Sequence, residues 1–272
     1  MEYQGETFSG DTATIPDTFL RLLTLPHLED LPIIKGKSSV LEVGCGQGDA
    51  IGRILYPIVQ VWLPMVTSLE LSYTGVDIDS ESLEIARAKE YPFLHNVCFQ
   101  TGDARDLEFR DKQFSISLAI GLLTQLTDDI DVKQVISELK RVSYMQIIVD
   151  FQIVSEISSL DADRIAYYLN RYEKTSQALN LPYGVILSTS DPLLEPALRN
   201  VIQSGTLEQI KKFYLEYRNK LRLSHHFDPK VIESWISEPS IHSTPYHLLT
   251  DLVVMNPSGN EVIEFAMIAI KL

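Results

Sequence analysis

Residues 40–50, with the sequence VLEVGCGQGDA, constrain the fold of this chain more than any other segment. The mostly apolar start predicts a buried strand, and Gly44, Gly46 and Gly48 predict a tight turn before a helix that begins near Asp49. Glycine accepts positive φ angles and lacks the Cβ that would keep a ligand away from the backbone. The segment therefore predicts a strand, a turn and a helix that together bind a small ligand.

The spacing of the glycines separates two classes of ligand. A dinucleotide fingerprint needs G-x-G-x-x-G so that the pyrophosphate meets the helix N-terminus, whereas Gly48 comes one residue early. Glu42 and Asp49 flank the turn, and their negative charges would repel a diphosphate. The turn is therefore predicted to bind a ligand that is neutral or cationic at this end.

An acidic residue followed by G-x-G-x-G resembles the first motif of the class I S-adenosylmethionine-dependent methyltransferases. The resemblance implies S-adenosylmethionine as the cofactor, and its sulfonium and ammonium groups suit an acidic turn. It assigns four residues to the cofactor site, namely Glu42, Gly44, Gly46 and Gly48. A lone glycine motif is also a common ordinary turn, so further matches are needed.

Two more predicted strand ends extend the resemblance. The strand at 73–77 ends in Asp77, whose carboxylate offers two oxygens to ribose hydroxyls. The strand at 97–101 is followed by Gly-Asp, where the family binds the adenine amine and, through the next backbone amide, a ring nitrogen. The predicted cofactor site is completed by Asp77, Ile78, Asp103, Ala104 and Ile120. An acid at a strand end can instead cap the following helix, and this alternative stays open for Asp79 and Asp103.

The fourth predicted strand, residues 114–120, departs from the family pattern just beyond its end. Family members often carry a pair of histidines where this chain has Thr124 and Gln125. This difference removes a common acid–base element beside the acceptor. The sequence therefore defines the cofactor site better than the acceptor site.

Predicted strands and helices alternate from Lys37 onward, which implies a doubly wound α/β fold. With the resemblance, this becomes a seven-stranded, mostly parallel, Rossmann-like sheet. Strands at 246–255 and 261–270, joined by a turn-rich NPSGN segment, are expected to close it as an antiparallel hairpin. The predicted divisions are an N-terminal helical leader (1–36, with a helix at 13–32), a cofactor-binding core (37–151), a helical cap (152–227), and a last helix from Asp228 with the hairpin (228–272).

The cap is predicted from helical periodicity between the fifth strand and the final strand pair. Ile165, Tyr168, Leu169 and Tyr172 share one helical face. A second face runs from 207 to 221. Because the insertion follows the carboxyl end of a strand, where open α/β sheets bind ligands, it is expected to cover the acceptor. The candidate substrate contacts are Gln125, Tyr168, Tyr172 and Arg218.

Charged and ionisable residues of the cap allow two readings each. Lys211, Arg218 and Arg222 fall along one side of a predicted helix, either as a basic rim for an anionic acceptor or, as the commoner case, as a solvated edge. His225 and His226 are candidates for a general base. The alternative for each is a surface or capping histidine, which is more common.

Composition excludes several other classes of function. A net charge of −14 over 272 residues argues against binding to nucleic acid. The longest charge-free stretch has 16 residues, fewer than the roughly 20 of a membrane helix. Two cysteines, no signal-peptide pattern and no metal-ligand spacing indicate a cytoplasmic protein without a bound metal. The apolar segment 56–64 is interpreted as packing, with a homodimer surface or substrate wall as the alternative.

The predicted function is S-adenosylmethionine-dependent methylation of a small molecule or short peptide. A carboxylate is already ionised at neutral pH and needs no general base, so the missing histidine pair and the basic residues favour O-methylation of a carboxylate or another ionisable group. The alternatives are N-methylation, a non-methylating enzyme that uses the same cofactor, and a binding protein without catalytic activity.

Overall fold

The computed structural model describes residues 37–49, 51, 70–92, 94–151, 162–189, 191–228, 231, 253–255, 262–264 and 267–271. The predicted leader helix at 13–32, the segment at 56–64 and most of the predicted helix after Asp228 lie outside these residues.

Ten strands and five helices lie within the described residues. The strands are β1 (Lys37–Val43), β2 (Glu70–Asp77), β3 (Asn96–Thr101), β4 (Phe114–Ile120), β5 (Ser143–Phe151), β6 (Val185–Ser188), β7 (Arg222–His225), β8 (Val253–Met255), β9 (Val262–Glu264) and β10 (Met267–Lys271). The helices are α1 (Ser80–Arg87), α2 (Asp129–Val142), α3 (Ala162–Leu179), α4 (Glu195–Ser204) and α5 (Leu207–Tyr217). A short 3₁₀ turn covers Leu123–Gln125.

The main sheet has the strand order β10-β5-β4-β1-β2-β3. Strands β1 to β5 are parallel to their neighbours, and β10 is antiparallel to β5. This order reverses direction at β1, because β2 lies on one side of it and β4 on the other. Ligands of open α/β sheets bind at such a reversal, beyond the carboxyl ends of the strands. The predicted α/β class and mostly parallel sheet are confirmed.

The predicted number of seven strands is wrong for the described part of the chain. The sheet contains five parallel strands and one antiparallel strand, β10. The expected closing hairpin is divided: β8 and β9 pair with each other as a separate antiparallel sheet, and only β10 joins the main sheet. The sequence segment read as one strand, 261–270, thus contributes to two sheets.

Apolar spacing explains how α2 packs on the sheet. Its buried residues recur every three or four positions and are Val132, Val135, Ile136, Leu139 and Val142, which is the pattern of one apolar helical face. They form a core cluster with β1, β4 and β5 residues. Asp128 caps the helix by accepting a hydrogen bond from the Ile130 amide at 2.8 Å. No helix among the described residues is both long enough and apolar enough to cross a membrane.

The cap contains a small sheet as well as helices. Strands β6 and β7 pair antiparallel, and α4 and α5 lie between them in the sequence. The predicted apolar face of α3 is confirmed, since Ile165, Tyr168 and Leu169 pack with the buried Tyr172 and Ile186. The cap is therefore a mixed α/β unit and not the purely helical one that was predicted.

The helix predicted to carry the basic residues ends earlier than expected. α5 stops at Tyr217, and the Lys220 and Leu221 amides both donate to the Tyr217 carbonyl in the turn that follows. Arg222 then begins β7. Lys211, Arg218 and Arg222 therefore do not form a stripe along one helix, and that prediction is wrong.

The end of the cap packs into the core of the main sheet. Phe227 is buried in the same apolar cluster as Leu123 and Leu139. β7 ends at His225, and the centroid of the His225 ring lies 4.1 Å from that of the Phe227 ring. The cap is thus anchored at this point by a large apolar side chain.

Replacing Phe227 with alanine is expected to lower the free energy of unfolding by about 3–5 kcal/mol, since it leaves a cavity in the core. Urea denaturation followed by circular dichroism measures this change. The control is Leu193→Ala, because Leu193 lies in the cap with its side chain exposed; it should change the unfolding free energy by less than about 0.5 kcal/mol. Equal effects of the two substitutions would contradict the anchoring of the cap.

Candidate functional site

The glycine turn is held against the end of β2 by backbone hydrogen bonds. The amides of Gly44 and Cys45 donate to the Val76 carbonyl at 2.8 and 3.2 Å. The φ angles of Gly44, Gly46 and Gly48 are +69°, +50° and +76°, a region that residues with a Cβ rarely adopt. Glycine is therefore the residue that fits all three positions of this turn without strain.

The three glycines have different surroundings. A Cβ on Gly44 would lie 2.8 Å from Leu122 Cδ1, and one on Gly48 would lie 2.4 Å from the Tyr91 hydroxyl. A Cβ on Gly46 would meet no atom of the described residues within 4 Å. Gly44 and Gly48 thus allow close packing inside the protein, whereas Gly46 faces the open side of the turn.

Asp77 lies at the end of β2, directly beside this open side. Its Oδ2 accepts a hydrogen bond from the Gly46 amide at 2.7 Å, and its Oδ1 accepts one from the Asp79 amide at 2.9 Å. A carboxylate has about four acceptor sites, so the group keeps capacity for two further donors. These two hydrogen bonds fix the orientation of the carboxylate.

Asp79, two residues later, has a structural role. Its side chain accepts hydrogen bonds from the Glu81 amide at 3.0 Å and the Ser82 hydroxyl at 2.7 Å, which caps α1. The hydrogen bond from Ser82 is the main reason that the pKa of the Asp79 carboxyl lies below its usual value. The capping alternative considered for this residue is confirmed.

Glu42 does not present a negative charge to the turn. It is buried, and its Oε2 accepts a hydrogen bond from the Tyr73 hydroxyl at 2.5 Å. Burial raises the pKa of Glu42 to about 8, so the side chain is largely protonated at pH 7. Asp49, the other acid expected to flank the turn, forms an ion pair with Lys89. The prediction that Glu42 and Asp49 flank the turn with unpaired negative charges is therefore wrong. Asp77 supplies the carboxylate next to the turn.

Asp103 is engaged by a neighbouring arginine. Arg105 donates from Nε to both carboxylate oxygens, at 2.9 and 3.1 Å, and from Nη2 to Oδ2 at 2.6 Å. The same guanidinium binds Asp131 at 2.9 Å. These bonds, and the Arg105 backbone amide, lower the pKa of the Asp103 carboxyl. Contact between Asp103 and an adenine amine stays a prediction, and it requires Arg105 to share or release the carboxylate.

Arg105 was not identified from the sequence. Its position two residues after Asp103 would allow its guanidinium to bind that carboxylate, as the structure shows. Ala104, between the two charged residues, is half-buried against the core cluster. The contact between the Ala104 backbone amide and the adenine ring stays a prediction.

The loop after β4 closes another side of the turn. Thr124 Oγ1 and Gln125 Nε2 both donate to the Gly121 carbonyl, at 3.1 and 3.2 Å. Leu122 from this loop is the residue that lies against Gly44. Ile120, at the end of β4, is half-buried and Gln125 is exposed. The sequence predicted Ile120 and Gln125 at this edge but missed Leu122, whose role depends on a contact 78 positions away.

The two histidines considered as bases are buried in the protein. The Tyr172 hydroxyl and His226 Nδ1 lie 2.8 Å apart, and both residues are buried within the cap. Burial, with smaller contributions from Arg171 and His225, lowers the pKa of His226 to about 3, so its imidazole is neutral and weakly basic at pH 7. His225 Nδ1 lies 3.3 Å from the Leu126 carbonyl, and burial also lowers its pKa.

These positions bear on the acceptor-site predictions. Tyr172 is fully buried in the cap with its hydroxyl bonded to His226, and its contact with a substrate stays a prediction. His226 lacks the access and basicity of a general base. Tyr168 is half-buried beside Tyr172, and Arg218 is exposed at the end of α5. Cys98, expected to be buried, is exposed, whereas Cys45 is buried as expected.

A comparison with known families matches residues 40–144 to a family model described as "Methyltransferase domain". This stretch begins in β1 and includes the glycine turn, Asp77, Asp103 and the loop after β4. Residues 40–144 therefore match a methyltransferase domain, in agreement with the resemblance found in the sequence.

Two relatives of this methyltransferase domain show the range of similarity. A fatty-acid O-methyltransferase of Mycolicibacterium smegmatis is 36% identical over 90 residues, which cover 32% of this chain and 27% of that protein. The match thus spans about a quarter of the relative's length. The crystal structure of a SAM-dependent methyltransferase from Methanosarcina mazei is 20% identical, covers 91% of this chain and 97% of that one, and has a TM-score of 0.57, which supports the fold.

The residues around the turn of the methyltransferase domain fit S-adenosylmethionine. Gly46 leaves the turn open to a ligand, and Asp77 retains acceptor capacity for a ribose diol. Ile78 follows immediately, with 72% of its surface exposed, and offers an apolar surface for a purine ring. Gly46, Asp77 and Ile78 would therefore hold the nucleoside part of the cofactor.

Alanine substitutions at two glycines should separate binding from stability. Gly46→Ala strains the backbone by about 1–2 kcal/mol and places a methyl group on the open side of the turn, so cofactor affinity should fall at least about tenfold. Gly48→Ala brings a Cβ against Tyr91 and should mainly lower the melting temperature. Calorimetric titration with S-adenosylhomocysteine and thermal unfolding measure the two effects. Undiminished affinity of the folded Gly46→Ala protein would contradict the assignment.

Glu42 should make the protein less stable as the pH rises. Its pKa is about 8 in the folded protein and 4.5 as the ordinary value, so between these values the folded state holds more protons than the unfolded state. The unfolding free energy should therefore fall with rising pH, by up to about 1.4 kcal/mol per unit. Denaturation at pH 5–8 tests this, and Glu42→Gln should flatten the slope. An unchanged slope in that variant would show that Glu42 ionises normally.

Proposed function

We propose that this chain transfers a methyl group from S-adenosylmethionine to a carboxylate of a small molecule or short peptide. The observation that carries the proposal is the Asp77 carboxylate, fixed against Gly46 at the open side of the glycine turn. The similarity to a fatty-acid O-methyltransferase supports a carboxylate acceptor. That match covers about a quarter of the relative. The choice of a carboxylate acceptor therefore also rests on the properties of the candidate bases in this chain.

The bound cofactor would supply an electrophilic methyl group on a sulfonium. The residues of this chain would then act mainly by holding the cofactor and the acceptor in line, since reacting atoms must lie about 3–3.5 Å apart. Asp77 would bind the ribose hydroxyls, and the backbone at Gly46 would lie against the cofactor. Leu122 would keep the loop after β4 close to the turn, because its side chain contacts Gly44.

The absence of an effective base among the candidate residues agrees with a carboxylate acceptor. Thr124 and Gln125 replace the histidine pair of the family, and both bond to the Gly121 carbonyl. His226 has a pKa of about 3 because it is buried. A carboxylate with an ordinary pKa near 4 is ionised at pH 7 and needs no proton removed, whereas an alcohol does.

A methyl-transfer assay with matched acceptors tests the proposal. Octanoate, 1-octanol and octylamine share one chain length and differ in the reacting group. With S-adenosylmethionine and this protein, octanoate should gain one methyl group as an ester, detected by mass spectrometry, and the other two should not. The rate should change less than about threefold between pH 6 and 8, since an acceptor with a pKa near 4 is ionised throughout this range.

Methylation of octylamine alone would favour N-methylation and contradict the proposal. Binding of the cofactor without turnover on a wide range of carboxylic acids would indicate a binding protein. A rate that rises tenfold per pH unit between 6 and 8 would indicate a base that must lose its proton.

A further inference from the structure

One charged side chain of the cap is buried without an acidic partner. Arg171, on α3, is 8% exposed. Its Nη2 donates to the Leu187 carbonyl, and its Nη1 donates to the Tyr167 hydroxyl at 3.3 Å. Both acceptors are neutral. Among the residues that the structure describes, no carboxylate lies within ion-pair distance of this guanidinium, and its Nε has no hydrogen-bond partner.

A second buried donor lies one helical turn further along α3. Thr175 is fully buried, and its Oγ1 also has no hydrogen-bond partner. Residues four positions apart lie on the same face of a helix, so Thr175 and Arg171 share a face. A buried hydroxyl and a buried guanidinium N–H, both without acceptors, are an uncommon pair, because buried polar groups are nearly always hydrogen-bonded.

The surroundings do not neutralise the charge of Arg171. His226 lies near enough that Arg171 contributes, after burial, to the low pKa of its imidazole, which is about 3. This histidine is therefore uncharged, and its Nδ1 is next to the Tyr172 hydroxyl. An isolated buried charge is costly unless it is paired. An anionic group between Nε of Arg171 and Oγ1 of Thr175 would remove this cost.

The ring of Tyr167 lies next to the buried guanidinium and to a second arginine. Its half-buried ring centroid lies 5.8 Å from Cζ of Arg171 and 5.9 Å from Cζ of Arg199. Arg199 is exposed and pairs with Glu195 at 3.4 Å. Two arginines, one buried and one exposed, therefore lie near the same tyrosine ring.

We propose that Arg171 and Thr175 bind the carboxylate of an organic acid, with one carboxylate oxygen on Nε and the other on Oγ1. A carboxylate suits the pair because its two oxygens accept in one plane, as the arginine N–H groups donate. That this acid is the methyl acceptor rests on the function proposed above. The binding site itself is inferred from the two buried donors on one face of α3 that have no hydrogen-bond partner.

Binding of octanoate to the 272-residue chain tests this site, with octanamide and inorganic phosphate as the comparison probes. Octanoate should raise the melting temperature, and octanamide and phosphate should not. Arg171→Met should weaken octanoate binding at least about tenfold, as expected for loss of a charge-assisted hydrogen bond, and Thr175→Val severalfold. The control Arg222→Met makes the same exchange at an exposed position in β7 and should leave octanoate affinity within about twofold.

The stability of Arg171→Met without ligand gives a second readout. Because the substitution removes an unpaired buried charge, the melting temperature of the ligand-free protein should stay the same or rise. If Arg171 has only a structural role, the melting temperature should fall and octanoate should have no effect on the wild type. Should Arg171→Met fail to fold, Arg171→Lys and Thr175→Val decide the question through octanoate affinity. Unchanged affinity in these variants, or tighter binding of phosphate than of octanoate, would overturn the proposal.

Failure of this inference is distinguishable from failure of the proposed function. If octanoate binds through Arg171 but gains no methyl group, the site stands and the function is wrong. If Arg171→Met methylates octanoate with the wild-type KM, the function stands and the site is wrong. Titration with S-adenosylhomocysteine should show unchanged cofactor affinity in Arg171→Met.

Discussion

The joining of the glycine turn to the end of β2 is the interaction on which the candidate site depends. Three consecutive amides of the turn donate to β2: those of Gly44 and Cys45 to the Val76 carbonyl, and that of Gly46 to Asp77. The turn can approach β2 this closely because Gly44 and Gly46 both adopt positive φ. The same bonds orient the Asp77 carboxylate, so one local structure both shapes the turn and positions its acidic group.

Packing beneath the turn supports this arrangement. Gly75 in β2 has no space for a Cβ, which would lie 2.7 Å from Phe99 and 2.8 Å from Cys45 Sγ. Glu42 is buried in β1 with its carboxyl bonded to Tyr73, and this pair joins two neighbouring strands. When Glu42 is protonated, no second negative charge lies near Asp77. Repulsion from Asp77 contributes, after burial, to the raised pKa of Glu42. Asp77 therefore supplies the carboxylate with spare acceptor sites at the turn, whereas Glu42 is bonded to Tyr73 beneath it.

Local sequence patterns were sufficient to predict the parts of the site that depend on neighbours in the chain. The glycines, the strand-end position of Asp77 and the apolar face of α3 follow from spacing and backbone chemistry. Charge state did not follow, because the neutrality of Glu42 and the pairing of Asp49 with Lys89 depend on contacts that span 31 and 40 positions. The burial of Tyr172 and His226, 54 positions apart, likewise depends on how the cap folds, and the sequence alone placed both at the acceptor.

We propose that Asp77 binds the ribose of S-adenosylmethionine, and calorimetric titration of the cofactor into Asp77→Ala tests this role most directly. Loss of two charge-assisted hydrogen bonds of about 1.5–3 kcal/mol each predicts an affinity at least about a hundredfold lower than that of the wild type. Asp79→Ala is the matched control, since Asp79 only caps α1, and it should bind the cofactor with wild-type affinity. Equal cofactor affinity of the folded Asp77→Ala protein and the wild type would contradict the account.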